Sequence, residues 1–289
     1  MPLVSVLLSV HNDAHFLGAA IDSVLHQTYR DLELIVVDDA STDETPSLLA
    51  TIANRRLSVL RNDERLGLAA SLNRALDQAT GKYVARLDAD DIALPQRLAR
   101  QLARIRSTPP VGIVGSGVVD LDVDGRRGKT HFMPTGATPL RWLALFSSPF
   151  FHPTVLVDRE LLDSHGLRYD STFLESEDYD LWTRLFAFAE GDNIRDALVL
   201  KRVHPAQASQ HRGELQESFQ RQVALREIAK VAPDVDAELA WRVGARKRPP
   251  PRATKPFLRL LAAFERVHGR DRAVLQAAFR SLVRAGWRR

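Results

Sequence analysis

Two apolar patterns alternate along the chain as far as Pro110: short unbroken runs, and positions recurring at helical spacing. Val4–Val10 and Leu32–Val37 are continuous apolar runs, the pattern of strands buried on both faces. Between them Phe16, Leu17, Ala20, Ile21, Val24 and Leu25 lie on one helical face, with Asp13 placed to cap that helix. A short helix is predicted from Ser41 or Thr42 through Ala53, and a third strand over Leu57–Leu60. The next helix, Leu68–Ala79, stops at Gly81, a candidate C′ glycine. Tyr83–Leu87 predicts the fourth strand. Pro95 suits the first turn of a helix running to about Arg106, which Pro109-Pro110 ends. Strands alternating with helices of this length predict a parallel α/β sheet with right-handed crossovers.

The second half is less regular. Val111–Leu121 reads as a strand or hairpin arm with Asp124-Gly125 as its turn, and Thr154–Val157 as a short strand. A helix over Asp180–Phe188 is started by Ser176-Glu177-Asp178, and a strand over Ile194–Val203 leads into His204-Pro205. After a helix over Gly213–Val231, Pro249-Pro250-Pro251 within Arg246–Lys255 reads as a stiff linker. Two amphipathic helices follow. One carries Phe257, Leu260, Leu261, Phe264 and Val267, the other Val274, Leu275, Ala278, Phe279, Leu282 and Val283, with arginines opposite. No run reaches the ~20 apolar residues of a membrane-spanning helix. The apolar N-terminus lacks a basic start and reads as a buried strand, not a signal peptide.

Composition changes this picture in two places. The 289 residues are 45% apolar and 26% charged, ordinary for one large domain or a domain with an appendage. The absence of cysteine excludes disulfides, Cys zinc sites and a thiol nucleophile. The net charge of +4 is unevenly spread: residues 242–289 hold 14 Lys+Arg and 2 Asp+Glu, a balance of +12, leaving −8 for residues 1–241. An acidic body argues against nucleic acid as a partner. Three fates are open to the basic tail: packing on the body through its apolar faces, lying on an anionic membrane surface, or binding a partner.

The candidate chemistry centres on Arg86-Leu87-Asp88-Ala89-Asp90-Asp91. Three carboxylates within four positions repel one another unless a cation is present. A preceding strand would send Asp88 and Asp90 to the same side. Two hard oxygen donors there suit Mg²⁺ or Mn²⁺ carrying a phosphate, whereas a solvated acidic turn is the plainer reading. Parallel α/β sheets bind ligands beyond the carboxyl ends of their strands, and His11-Asn12, Asp38-Asp39 and Asp88–Asp91 all fall there.

Val4-Ser5-Val6-Leu7-Leu8-Ser9-Val10-His11-Asn12 resembles the opening of the family 2 glycosyltransferases of bacterial type, enzymes of the GT-A fold. Ser23–Tyr29, Glu33–Asp43, Gly67-Leu68, Leu72-Asn73, Gly81–Asp91, Glu177-Asp178 and Arg202-Val203-His204 continue the resemblance in order, over roughly residues 3–210. It implies an α/β fold with a GT-A (Rossmann-like), mostly parallel sheet flanked by helices and a C-terminal helical appendage. The expected division is 1–212 for the GT-A domain, 213–245 for a helical extension and 246–289 for the basic tail.

The implied activity is inverting, metal-dependent transfer of a sugar from a nucleotide-sugar, UDP-linked by family frequency, to a hydroxyl acceptor in polysaccharide, glycolipid or cell-envelope glycan synthesis. Asp39 would hold the base, with Ser9, His11, Asn12 and Arg86 nearby and Asp38 as the competitor. Asp88 would meet the ribose or the metal shell, and Asp90 would bind Mn²⁺ or Mg²⁺. His204 would close on the diphosphate or metal, while Asp91 would be structural, capping the helix that Pro95 begins. Asp178 would be the general base, its helical first turn favouring the ionised form, with Glu177 the second choice and Glu175 a weaker one. His152 and Trp182 would line the acceptor side, or merely shape a turn and fill the core. Arg65 or Arg86 would neutralise phosphate. The expected setting is cytoplasmic, with peripheral contact at the membrane's inner face through 246–289 and a glycan or lipid-linked acceptor. The competing readings are a GT-A nucleotidyltransferase, disfavoured because no glycine precedes Gly18 at the first strand's end, and a non-catalytic nucleotide-sugar-binding module.

Overall fold

The computed structural model describes residues 2–203, 213–247 and 249–286. Strand β1 (Val4–Val10) is the axis of a nine-stranded sheet. It pairs in parallel with β2 (Leu32–Asp38) on one side and β4 (Tyr83–Arg86) on the other, and β2 pairs in parallel with β3 (Leu57–Arg61). Period-two geometry sends alternate side chains to opposite faces. Val4, Val6, Leu8 and Val10 enter one apolar core and Leu7 the other, as Leu34 and Val36 oppose Ile35 and Val37 in β2. Helices α1 (Ala14–Leu25) and α4 (Arg97–Ile105) close the first face, and α3 (Leu68–Gln78) the second. That burial of both faces is why these strands read as unbroken apolar runs.

Beyond β4 the sheet is mixed, not mostly parallel. Strand β8 (Leu156–Asp158) runs antiparallel to β4 and to β6 (Ile113–Leu121). Strand β9 (Gly191–Arg202) is parallel to β6, and the two-residue β5 (Ile92–Ala93) is antiparallel to β9. Hairpin strand β7 (Arg127–His131) turns at Gly125 (φ 81°), as Asp124-Gly125 implied. Sheet order is β3-β2-β1-β4-β8-β6-β9-β5, so the last strand returns beside the middle of the chain and folds over the end of β4.

Local expectations fail where a neighbour takes over a local role. Helix α2 (Thr45–Thr51) starts later than Ser41 because the preceding N–H groups are already engaged: Ser41 N donates to Asp38 Oδ1 and Thr42 N to Asn12 Oδ1. Asp13 does not cap α1; Ala14 N donates to Asp43 Oδ2 at 3.2 Å. Gly81 is not a left-handed C′ glycine. Its missing side chain makes room for β1, since a Cβ there would lie 2.6 Å from Ser5 N and 2.9 Å from Val4 C. His152–Thr154 forms a 3₁₀ turn ahead of β8, where a strand was expected to begin.

Four helices, α8 (Gly213–Val231), α9 (Ala237–Gly244), α10 (Thr254–His268) and α11 (Arg272–Arg284), follow the sheet. They build a third core onto α5 (Ala137–Leu143) and its exit, where Trp142 meets Phe146, Phe257 and Phe264 at ring centroid distances of 5.1, 5.7 and 5.1 Å. Burying such a ring contributes about 1.5–3 kcal/mol, so the basic tail is held to the body by its apolar faces. The proline run is not an extended linker: Pro251–Ala253 is a 3₁₀ turn whose Ala253 is fully buried. No described helix is long and apolar enough to cross a membrane.

Replacing Gly81 with alanine drives a methyl group into β1 backbone, which cannot rotate away. We expect Gly81→Ala to destabilise the protein by about 1–3 kcal/mol, read as a lower urea midpoint at unchanged slope; an unchanged midpoint would show that β1 yields.

Candidate active site

Strand β4 ends at Arg86, and the chain then turns sharply, Asp91 N donating to Asp88 O at 3.3 Å. The acidic cluster therefore lies in a turn, not on a strand, and the alternation argument does not govern it. Instead all three carboxylates converge: oxygens of Asp88, Asp90 and Asp91 lie within 4.8 Å of one another. Strand β9 clamps the turn from outside the local sequence. Arg202 N donates to Asp91 Oδ1 at 2.8 Å and Arg202 Nε to the Asp90 carbonyl at 2.9 Å, while its guanidinium lies over the Phe16 ring.

Asp91 does not cap α4. It is 1% exposed, its Oδ2 has no hydrogen-bond partner among the described residues, and burial beside Asp88 and Asp90 raises its pKa well above the ordinary carboxylate range. A divalent cation fits such a donor set: hard oxygens, an unsatisfied buried carboxylate oxygen and mutual repulsion that a positive charge relieves.

Arg86 is buried behind the turn. Its Nη2 pairs with Asp88, and its Nε and Nη1 are buried without partners among the described residues. It is propped by Arg97, whose Nη2 donates to the Arg86 carbonyl at 2.6 Å and whose own pKa is lowered to about 9 by burial and by Arg86. The positive charge of Arg86 acts on Asp88 and Asp91 on one side, and on Glu177, Asp178, His152 and Tyr169 on the other.

Glu177 and Asp178 open helix α7 (Glu177–Leu185), preceded by Glu175 at φ 61°. They differ in environment. Glu177 is 7% exposed, and burial together with Asp178 raises its pKa to about 7. Asp178 is more open and accepts from Ser148 Oγ at 3.1 Å and from Tyr179 N at 2.6 Å. Its pKa is also raised, because burial outweighs those bonds and Arg86. Burial therefore outweighs the first-turn position, which was expected to favour the ionised form.

His152 faces Tyr169 Oη at 3.1 Å, and burial with the nearby Arg86 pushes its pKa well down, so it is neutral. Trp182 is 1% exposed, edge-on to Phe150, His152 and Tyr169. It presents no face for stacking a sugar and supports the site from beneath, which corrects its assignment to the acceptor surface.

At the other end of the sheet edge, His11 Nδ1 lies 2.7 Å from the Asp39 carbonyl and Asn12 Oδ1 accepts from Thr42 N and Asp43 N, which ties β1 to the loop after β2. Asp38 is consumed by that loop. Asp39 anchors the loop after β3, with Asn62 Nδ2 and Leu66 N on Oδ1 and Gly67 N on Oδ2, and these bonds lower its pKa. Arg65 is exposed on that same loop and Ser9 is partly exposed at the end of β1. His204 lies outside the described residues. Asn12, Ala40 and Glu175 are non-glycine residues at positive φ, of 55°, 56° and 61°, and all three sit in loops of this edge.

Residues 5–166 match the model of the glycosyl transferase family 2. The chain is also 35% identical over 202 residues to EpsE of Bacillus subtilis (strain 168), covering 68% of this chain and 72% of EpsE. It belongs to glycosyltransferase family 2. A second relative, the UDP-Glc:alpha-D-GlcNAc-diphosphoundecaprenol beta-1,3-glucosyltransferase WfgD of Escherichia coli, is 32% identical over 180 residues, covering 62% of this chain and 68% of WfgD.

Among solved structures, residues 1–349 of S. aureus TarS in complex with UDP align at TM-score 0.59 and 20% identity, covering 99% of this chain and 92% of that one. This chain spans 54% of a longer TarS structure. The mannosyltransferase PcManGT of Pyrobaculum calidifontis, in complex with GDP-Man and Mn²⁺, aligns at TM-score 0.60 and 23% identity, covering 98% and 80%. These likenesses establish the GT-A fold, and this family 2 chain is accordingly a glycosyltransferase with the sheet edge described above.

Ser148, Tyr169, Asn62 and Arg97 escaped the sequence reading, because each acts through a contact distant in sequence; Arg97 alone carried a signal, as an arginine on the apolar side of a helix.

A carboxyl with a raised folded-state pKa costs stability that is complete above that pKa and is relieved as pH falls from it to the unfolded value. Glu177→Gln should therefore raise the unfolding free energy by about 2–3 kcal/mol at pH 8 and by almost nothing at pH 4. Equal effects at both pH values would mean that Glu177 is not the group pushed up to about 7. Arg86→Gln removes a charge that lowers Glu177 and Asp178, so the acid limb of kcat/KM should move to higher pH; an unmoved limb would detach Arg86 from the base.

Proposed function

We propose that this glycosyltransferase transfers a sugar from a UDP-linked donor to a hydroxyl of a lipid-linked glycan acceptor, with inversion and with a divalent metal. The observation that carries the reading is Arg86, which is buried, pairs with Asp88 and favours the ionised forms of Asp91, Glu177 and Asp178. One charge serves both halves of a displacement, the departing diphosphate and the attacking hydroxyl.

The metal is assigned to Asp90 with Asp88, and Asp91 is added because its free buried oxygen faces the same cluster. Mn²⁺ or Mg²⁺ held there would neutralise charge on the departing nucleoside diphosphate. On the nucleotide side we assign Asp39, together with Ser9, His11 and Asn12 at the adjacent strand end. Asp178 is assigned as the base. It is more open than Glu177, Ser148 and Tyr179 stabilise its anion, and Arg86 opposes the effect of burial. Glu177, protonated in part at neutral pH, is less suited to accept a proton. In-line attack assisted by one carboxylate leaves no covalent intermediate and inverts the anomeric centre. The UDP donor and the lipid diphosphate acceptor are supported by the name of WfgD, and membrane contact through the tail by its charge.

A donor panel of UDP-, GDP- and dTDP-sugars, scored by nucleoside diphosphate release with Mn²⁺, tests the reading. Pyrophosphate as the product would overturn it. Asp178→Asn should lower turnover by about 10³-fold or more while sparing donor binding, and Asp90→Ala should abolish the metal-dependent part of donor binding. Near-normal turnover of Asp178→Asn would return the base to Glu177.

A further inference from the structure

The segment that presents Asp178 is held from outside, by helix α8. Ser176 stands at the N-cap of α7, where a serine oxygen ordinarily accepts from the first N–H groups of its helix. Among the described residues it makes no such bond. The Ser176 hydroxyl, in a residue only 1% exposed, instead shares its proton between the Glu175 carbonyl at 2.8 Å and the Gln216 carbonyl of α8 at 3.3 Å. Gln216 answers with its side chain, whose Nε2 donates to the Glu175 carbonyl at 3.1 Å. Glu175 stands at φ 61°, in the left-handed region. That conformation costs a non-glycine residue about 1–2 kcal/mol and persists only where the surroundings impose it. A strained residue, a diverted cap and one glutamine of α8 therefore meet immediately before Glu177-Asp178.

Helix α8 also takes hold on either side of this point. Ahead of it, Phe173 packs edge-on against Phe219 at a centroid distance of 6.2 Å. Beyond it, Arg226 Nη1 donates to Asp180 Oδ1 at 2.6 Å and Arg226 Nη2 to Thr183 Oγ1 at 2.8 Å. Asp180, 1% exposed, is thus paired both within α7, to Arg184, and across to α8. The spacing of Gln216, Phe219 and Arg226 puts them on one face of α8. Ala224 and Ile228 of the same helix enter the third core. One helix therefore joins the tail to the backbone from which Asp178 projects.

We propose that Gln216 of α8 is a positioning residue for the catalytic carboxylate. It holds Glu175 in its strained conformation and so sets where Asp178 stands. The inference rests on the assignment of the base to this segment and adds what fixes it there. Displacing a reacting group by about 1 Å costs up to 10²-fold in rate. Gln216 should accordingly govern attack by the acceptor hydroxyl and leave donor binding alone.

The test compares full-length wild type, Gln216→Ala, Glu175→Asn and the double variant. Gln216→Ala should lower kcat about tenfold and leave the affinity for UDP with Mn²⁺ unchanged. Hydrogen exchange should quicken at the amides of residues 174–180 and stay as in the wild type at the acidic turn. Asparagine tolerates the left-handed region better than glutamate does. On the Glu175→Asn background, then, the same Gln216→Ala change should cost several-fold less in kcat and quicken exchange less, the coupling expected of two residues that share one constraint. Unchanged exchange at 174–180, or a loss of kcat matched by an equal loss of UDP affinity, would overturn the proposal and leave Gln216 a stability contact. Equal costs of Gln216→Ala on the two backgrounds would also overturn it, by detaching Gln216 from Glu175. The transferase reading fails separately, if the wild type releases no nucleoside diphosphate from any donor; the exchange comparison still reads what Gln216 holds.

Discussion

A buried positive charge that bears on two acidic groups is the constraint around which this site is built. Arg86 ends the fourth strand with its guanidinium out of water, and no single carboxylate satisfies it. A buried charge is tolerated only when it is paired and hydrogen-bonded. Here the ion pair is with Asp88, and the same charge also favours the ionised forms of Asp91, Glu177 and Asp178. That charge couples the two halves of the site. The acidic turn can gather three carboxylates because Arg86 offsets part of their repulsion, and Asp178 can sit in a dense environment without losing its anion altogether. The layer beneath, with Arg97, neutral His152, Tyr169 and Trp182, has little direct chemistry and keeps Arg86 where it is.

The sheet explains how residues so far apart in sequence meet. Its first half is a parallel α/β unit whose strand ends carry Asp39 and the acidic turn. The second half is mixed, and β9 comes back across the end of β4 to lock the turn through Arg202. Family 2 membership agrees with that arrangement and with the GT-A neighbours. The helical tail adds a third core onto α5 and its exit.

Much of this was legible in the sequence because it depends on local periodicity or on spacing. Unbroken apolar runs betray strands buried on both faces, so the parallel half and its helices read to within a few residues. The Asp88–Asp91 cluster, the Glu177-Asp178 pair and the charge split at the tail are visible as composition. What the sequence misjudged were roles that a distant partner takes over: Gly81 as a helix stop when it clears β1, Asp91 as a cap when it holds Arg202, Trp182 as a sugar platform when it is core.

By itself, then, the sequence determined which elements form and which residues carry charge to the sheet edge, since period two, period 3.6 and residue type are local properties. Only the tertiary structure decided what each charge does. The raised pKa of Glu177, the burial of Arg86 and the clamp of Arg202 on Asp91 all follow from desolvation and from contacts that only packing brings about. Those quantities come into being when the chain packs, because burial and proximity, not residue identity, set the cost of a charge.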